Sequence, residues 1–97
     1  MTKFVVLCKF TEKGITNIQQ SPDRADALRA SAEKMGIKVP AMLWTAGPYD
    51  ALIVMEAPDE TTAAAFVLGV AKLGNITTTM MPAYDAAGFR AILGKMK

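Results

Sequence analysis

Gly47-Pro48 interrupts an otherwise apolar stretch, with Leu43-Trp44-Thr45-Ala46 before it and Tyr49-Asp50-Ala51-Leu52-Ile53-Val54-Met55-Glu56 after it. A Gly-Pro pair between two apolar runs reads as a tight connection between strands. The middle of the chain is therefore predicted to double back on itself, and the flanking segments must pack against that hairpin. The run after the turn, Tyr49 to Glu56, has Ala51, Ile53 and Met55 on one face and Leu52 and Val54 on the other. Between its polar ends both faces are apolar, as in a strand covered on both sides. The run before it, Ile37 to Ala46, contains Pro40. Proline has no amide to give a ladder, so this strand lies at a sheet edge or begins after Pro40.

The flanks supply the rest of a small fold. Phe4-Val5-Val6-Leu7-Cys8-Lys9-Phe10 is rich in aromatic and β-branched residues and reads as a first strand. Glu12 to Gln20 is a loop or a short helical turn with Ile15 and Ile18 facing inward, and Gly14 weakens any helix there. A helix is predicted over Ser21 to Met35, with Ser21 as its cap, Pro22 at its first position and Asp23 at the positive end of its dipole. Ala25, Leu28, Ala32 and Met35 recur on one face, Arg24 lies on another, and Gly36 suits a left-handed stop. Asp59 caps a second helix from Glu60 to Leu73, with Ala63, Phe66, Val67, Val70, Ala71 and Leu73 in its stripe. Ile76 to Met81 is a fourth strand closed by Pro82, and Asp85 caps a last helix striped by Phe89, Ile92, Leu93 and Met96.

Strand, helix, strand, strand, helix, strand is the split βαβ, ferredoxin-like order. The expected fold is thus α+β: one domain over residues 1–97, a four-stranded antiparallel sheet with both helices on one face, and a C-terminal helix. Val5 and Leu7 oppose Phe4, Val6 and Cys8 in the first strand, so the second face of the sheet is apolar as well. It needs a cover. An identical chain in a two-fold dimer is the simplest one, and the C-terminal helix folding over that face in a monomer is the alternative.

Composition narrows function mainly by exclusion. The chain of 97 residues has no histidine and one cysteine, Cys8. That removes the commonest general base and metal ligand, any Ser-His or Cys-His dyad, and any internal disulfide. Zinc would find one thiol, and a haem would lack its usual proximal imidazole. Cys8 reads as a buried strand thiol in a reducing compartment. The net charge of +2 comes from scattered lysines and arginines, with no basic stripe for nucleic acid. No apolar run approaches a membrane span, and no charged leader with an apolar segment opens the chain. A cytoplasmic protein with no metal and no cofactor is expected.

Few residues remain as candidates for chemistry. Asp50 sits where a strand otherwise prefers apolar company. Desolvated, it could transfer protons, with Tyr49 orienting a ligand or stabilising an enolate-like oxygen. Alternatively it accepts amide hydrogens at the Gly-Pro turn and pins the hairpin. With the first and third strands taken to run side by side in the same direction, Lys9 falls nearer Glu56 than Asp50, which predicts a Lys9–Glu56 ion pair. Trp44 either packs in the core or a subunit interface, or joins Asn17 in holding an electron-rich aromatic substrate. The candidate ligand-binding set is Lys9, Asn17, Trp44 and Tyr49. The methionines at positions 35, 42, 55, 80, 81 and 96 fill core or interface, or line an adaptable apolar pocket.

Gly47-Pro48-Tyr49-Asp50 resembles the signature of the GYD domain proteins, small bacterial proteins named for Gly-Tyr-Asp. Here a residue is inserted after the glycine, which implies an unusual backbone in the turn. Lys9-Phe10-Thr11, Gly14-Ile15, Asn17-Ile18, Ser21-Pro22, Arg24-Ala25, Glu56-Ala57-Pro58-Asp59 and Leu73-Gly74-Asn75-Ile76 are also similar to the family, so the resemblance spans nearly the whole chain. It implies a dimeric α+β barrel, in which two ferredoxin-like subunits press their sheets together. That superfamily includes monooxygenases, isomerases, haem-processing enzymes and stress-responsive proteins. No catalytic residue carries over.

Three functional readings follow. The first is a homo-oligomer that binds a small apolar or aromatic ligand or serves a stress-linked role. The second is a cofactor-independent monooxygenase or isomerase using Asp50 and Tyr49. The third is a structural module that assembles through its sheet edges, against which Pro40 argues.

Overall fold

Side-chain alternation sets the central strand. In the computed structural model, which describes residues 1–96, β1 (Thr2–Phe10) turns Phe4, Val6 and Cys8 toward the helices, where all three are buried. Val5 and Leu7 point the other way and are only half-buried. β1 is flanked on one side by β3 (Ala51–Ala57) and on the other by β4 (Ile76–Pro82), and β2 (Lys38–Trp44) pairs with the far side of β3. The order β2-β3-β1-β4 is antiparallel throughout. With the helices between, this is the α+β, ferredoxin-like arrangement expected from the sequence.

The direction of β3 corrects one expectation. β1 and β3 are antiparallel, with Lys3 opposite Glu56 and Cys8 opposite Ala51. The helical crossover lays β2 in the same direction as β1, and β3 returns between them, so it must oppose both. Lys9 therefore lies at the Asp50 end. The partner of Glu56 is Lys3, at 2.7 Å. This ion pair raises the pKa of the Lys3 ammonium and lowers that of the Glu56 carboxyl, chiefly through their shared hydrogen bond.

α1 (Glu12–Thr16) is a single turn capped by Thr11, whose hydroxyl accepts from the Gly14 amide. Ile15 and Ile18 do not face inward; they are 52% and 45% exposed. The buried residue is Gly14, because a Cβ there would collide with the carbonyl oxygen of Asn75. A 3-10 turn over Ile18–Gln20 then runs directly into α2 (Ser21–Lys34). With no extended residue between them, Ser21 is already helical and caps nothing, contrary to expectation. Leu28 and Ala32 face the core, but Met35 lies outside the helix and is exposed. Gly36 takes φ +77° and ends the helix as predicted.

β2 is an edge strand and its register slips between Lys38 and Ala41, around Pro40. α3 (Glu60–Ala71) is capped by Asp59, which accepts from the Thr62 amide at 2.7 Å. Ala63, Phe66, Val67 and Val70 are buried, whereas Leu73 lies beyond the helix and is exposed. Gly74, at φ +83°, turns the chain into β4.

α4 (Ala86–Gly94) forms where the sequence places it, with Asp85 accepting from the Gly88 amide at 2.8 Å. Its packing is the departure. None of its residues is buried, and Phe89, Ile92, Leu93 and Met96 are all exposed. It does not fold over the open sheet face. The radius of gyration is 14.4 Å and the longest dimension 49 Å, against about 13 Å for a compact chain of this length.

Candidate functional site

The chain reverses over residues 45–50. The Thr45 amide donates to the Asp50 carbonyl at 2.9 Å and the Thr45 hydroxyl to the Tyr49 carbonyl at 2.6 Å. Gly47 stays outside the left-handed region, and a Cβ there would meet nothing within 4 Å. The inserted proline thus lengthens the turn without forcing the special backbone that the sequence suggested.

Asp50 is bound to β1 more than to its own turn. Its Oδ2 accepts from the Phe10 amide at 2.8 Å, and its own amide donates to the Cys8 carbonyl at 2.8 Å. The expected turn-amide role is therefore replaced by a cross-link from the hairpin to the end of the central strand. Tyr49 is half-buried beside it, with the Lys9 ammonium 5.3 Å from its ring centroid, within cation–π range. Lys9, Tyr49 and Asp50 thus form one group at the end of β1.

Trp44 belongs elsewhere. It projects from the helix side of β2, 49% exposed, so it is not a core residue, and its Nε1 donates to the Ser21 hydroxyl at 3.0 Å. Both residues border a half-enclosed cavity of about 150 Å³ between the sheet and α2. Its apolar walls include Leu28, Met42, Ile53 and Val70; its polar residues are Ser21, Arg24 and Asn75. Met42 lines a pocket here, in line with one of the two readings of the methionines. Cys8 also faces the cavity, and burial pushes its thiol from 9.0 up to about 11, so it stays protonated at neutral pH. It is the buried strand thiol expected.

Asn17 lies apart, at the end of α1, where its side chain donates to the Lys13 carbonyl. Its backbone carbonyl accepts from Arg24 Nη1 at 3.0 Å. The candidate residues therefore divide among the Lys9–Tyr49–Asp50 group, the Trp44 cavity and Asn17 by itself, and Tyr49 and Asp50 do not line the cavity. Among the described residues no cluster of acidic, cysteine or histidine side chains could hold a metal, and no helix is long and apolar enough to cross a membrane.

Ser21 and Arg24 are not among the candidates that the sequence offers. The periodicity of α2 sets Arg24 apart from its apolar stripe, yet Arg24 stands four residues before Leu28 and eight before Ala32, on the buried side. That spacing is the available signal.

Residues 4–93 match the family model of the GYD domain. A relative from Thermus thermophilus, named glutamine synthetase and cystathionine beta-lyase binding protein, is 32% identical over 94 residues. The match covers 96% of this chain and 99% of that relative.

Proposed function

The chain belongs to the GYD domain family, and from that premise we propose that it is a self-associating binding protein whose partners are other proteins. The observation that carries this reading is uncovered apolar surface. On the open sheet face Val5 and Leu7 stand opposite Val54 and Leu52, flanked by Leu43 and Met81. Beyond the sheet edge, α4 holds Phe89, Ile92 and Leu93 in water. Contiguous apolar surface of this kind marks protein contact sites. A second copy of the chain is the simplest cover for the sheet face, since a two-fold axis sets one such face against another. The relative's printed name supports a role in binding enzymes, and glutamine synthetase and cystathionine β-lyase are the first candidates for this chain.

The test has two parts. Native mass at micromolar concentration is expected to show a dimer or larger assembly, and a strict monomer would remove the self-association. Titration against each of the two enzymes is expected to give saturable binding with at least one. Binding to neither would leave the family's fold without this partner class. The rival reading, a cofactor-independent monooxygenase or isomerase working through Asp50 and Tyr49, requires an activity that Tyr49→Phe and Asp50→Asn reduce.

A further inference from the structure

Among the described residues Arg24 is the only charged side chain lining the cavity under α2. Its Nη1 is occupied by the Asn17 carbonyl, and its Nη2 has no hydrogen-bond partner and is covered by protein, so a ligand in the cavity reaches it only when the side chain turns. Among the described residues the one ion pair is Lys3–Glu56, so no carboxylate neutralises the guanidinium. A buried donor left in this condition is costly, and more so when it carries charge. A second donor stands on the same wall: Ser21 Oγ accepts the Trp44 indole hydrogen and keeps its own O–H to give. The remaining surface is mostly apolar, and a cavity of about 150 Å³ is the size that accepts a benzene ring in an engineered protein core.

We propose that this cavity binds a compact apolar monocarboxylate, its ring or branched aliphatic body against Leu28, Met42, Ile53 and Val70 and its carboxylate on the Arg24 guanidinium. The planar guanidinium suits a carboxylate, and one uncompensated positive charge calls for one negative charge. A phosphate ester would bring more charge than one cation offsets. Small-molecule sites have this composition: apolar walls with a few placed polar groups. The cavity lies on the helix side of the sheet, opposite the open face, so this inference does not depend on the assembly or partners proposed above.

Trp44 is the only tryptophan, so its fluorescence reports on this cavity. The experiment titrates the 97-residue chain with benzoate, and in parallel with benzamide, which has the same shape without the charge. The expected result is a saturable change with benzoate and binding at least about tenfold weaker with benzamide, a gap of about 1.4 kcal/mol. Acetate, lacking the apolar body, is expected to give no saturable change. Arg24→Gln should bring benzoate down to the benzamide level, and Leu28→Phe, which fills the cavity, should weaken both. Equal curves for benzoate and benzamide would overturn the proposal, as would the absence of a saturable benzoate response through the millimolar range. Both of those outcomes are read on the unmutated protein, so a variant that fails to fold does not decide the matter.

Discussion

At the residue scale, Asp50 and Cys8 show how position changes what a side chain does. Asp50 holds the end of β1 through the Phe10 amide. A hydrogen bond to a charged group contributes about 1.5–3 kcal/mol, so Asp50→Ala is expected to lower unfolding stability by that order. Asp50→Asn keeps an acceptor oxygen and should lose less than half as much, measured by urea denaturation. If the two substitutions cost the same, the carboxylate–amide contact is not the source. Cys8 carries the pH prediction. Its folded pKa is raised, so the folded state keeps the proton longer than the unfolded chain does. The resulting stability is complete below pH 9.0 and is lost as pH climbs toward about 11. The difference in Tm between the unmodified protein and Cys8→Ala should therefore shrink over that window, and a constant difference would contradict the burial argument.

At the element scale, the least conspicuous helix has the tightest seat. α1 is one turn long, yet the residues around it clamp the connection between α3 and β4. The Thr11 amide donates to the Asn75 carbonyl at 3.0 Å, the Thr11 hydroxyl to the Gly74 carbonyl at 2.6 Å, and the Lys13 ammonium to the Leu73 carbonyl at 2.8 Å. Gly14 permits this approach, since any Cβ meets the Asn75 carbonyl. Gly14→Ala is expected to cost about 1–3 kcal/mol, the usual range for overpacking. Gly47→Ala should be neutral, because its Cβ enters open space. Thermal unfolding of the pair checks this, and similar losses would mean that the clamp does not set the glycine requirement. The signature glycine of the turn would then matter as much as the buried glycine of α1.

At the scale of the whole molecule, the apolar surface is distributed in a way that one chain does not use. The helix side of the sheet is closed by Ala32, Ala63, Phe66, Val67 and Val70 around Phe4, Val6 and Met55. The opposite side has no such layer, and α4 extends from the body. If copies of the chain associate there, Val54→Lys places charge in the interface and should shift the native mass to the monomer while the far-UV spectrum is kept. Phe89→Ser offers a second discrimination. On an isolated monomer an exposed substitution changes stability within about 0.5 kcal/mol. In an assembly the loss should be larger, and Tm should depend on protein concentration. A concentration-independent Tm with neutral Phe89→Ser would leave α4 a solvated appendage.

Local patterns were sufficient for most of the architecture. The Gly47-Pro48 break, the aromatic and β-branched run of β1, the caps Asp59 and Asp85 and the stop Gly36 are signals carried within a few residues, and each produced the predicted element. Pro40 marked the edge strand because the missing amide is a property of the residue itself. The family was legible for the same reason, as short motifs spread along the chain. The candidate site was legible only in pieces. Lys9 met Tyr49 rather than Glu56 because strand direction follows from the crossover, not from any residue in the strand. Ser21 and Arg24 entered the cavity because the 3-10 turn joined α2 without a break and aimed that helix face at Trp44. The sequence by itself determined which segments are strands and helices and which faces are apolar. Only the tertiary structure decided which of those faces find a partner within one chain, because that depends on contacts between segments far apart in sequence.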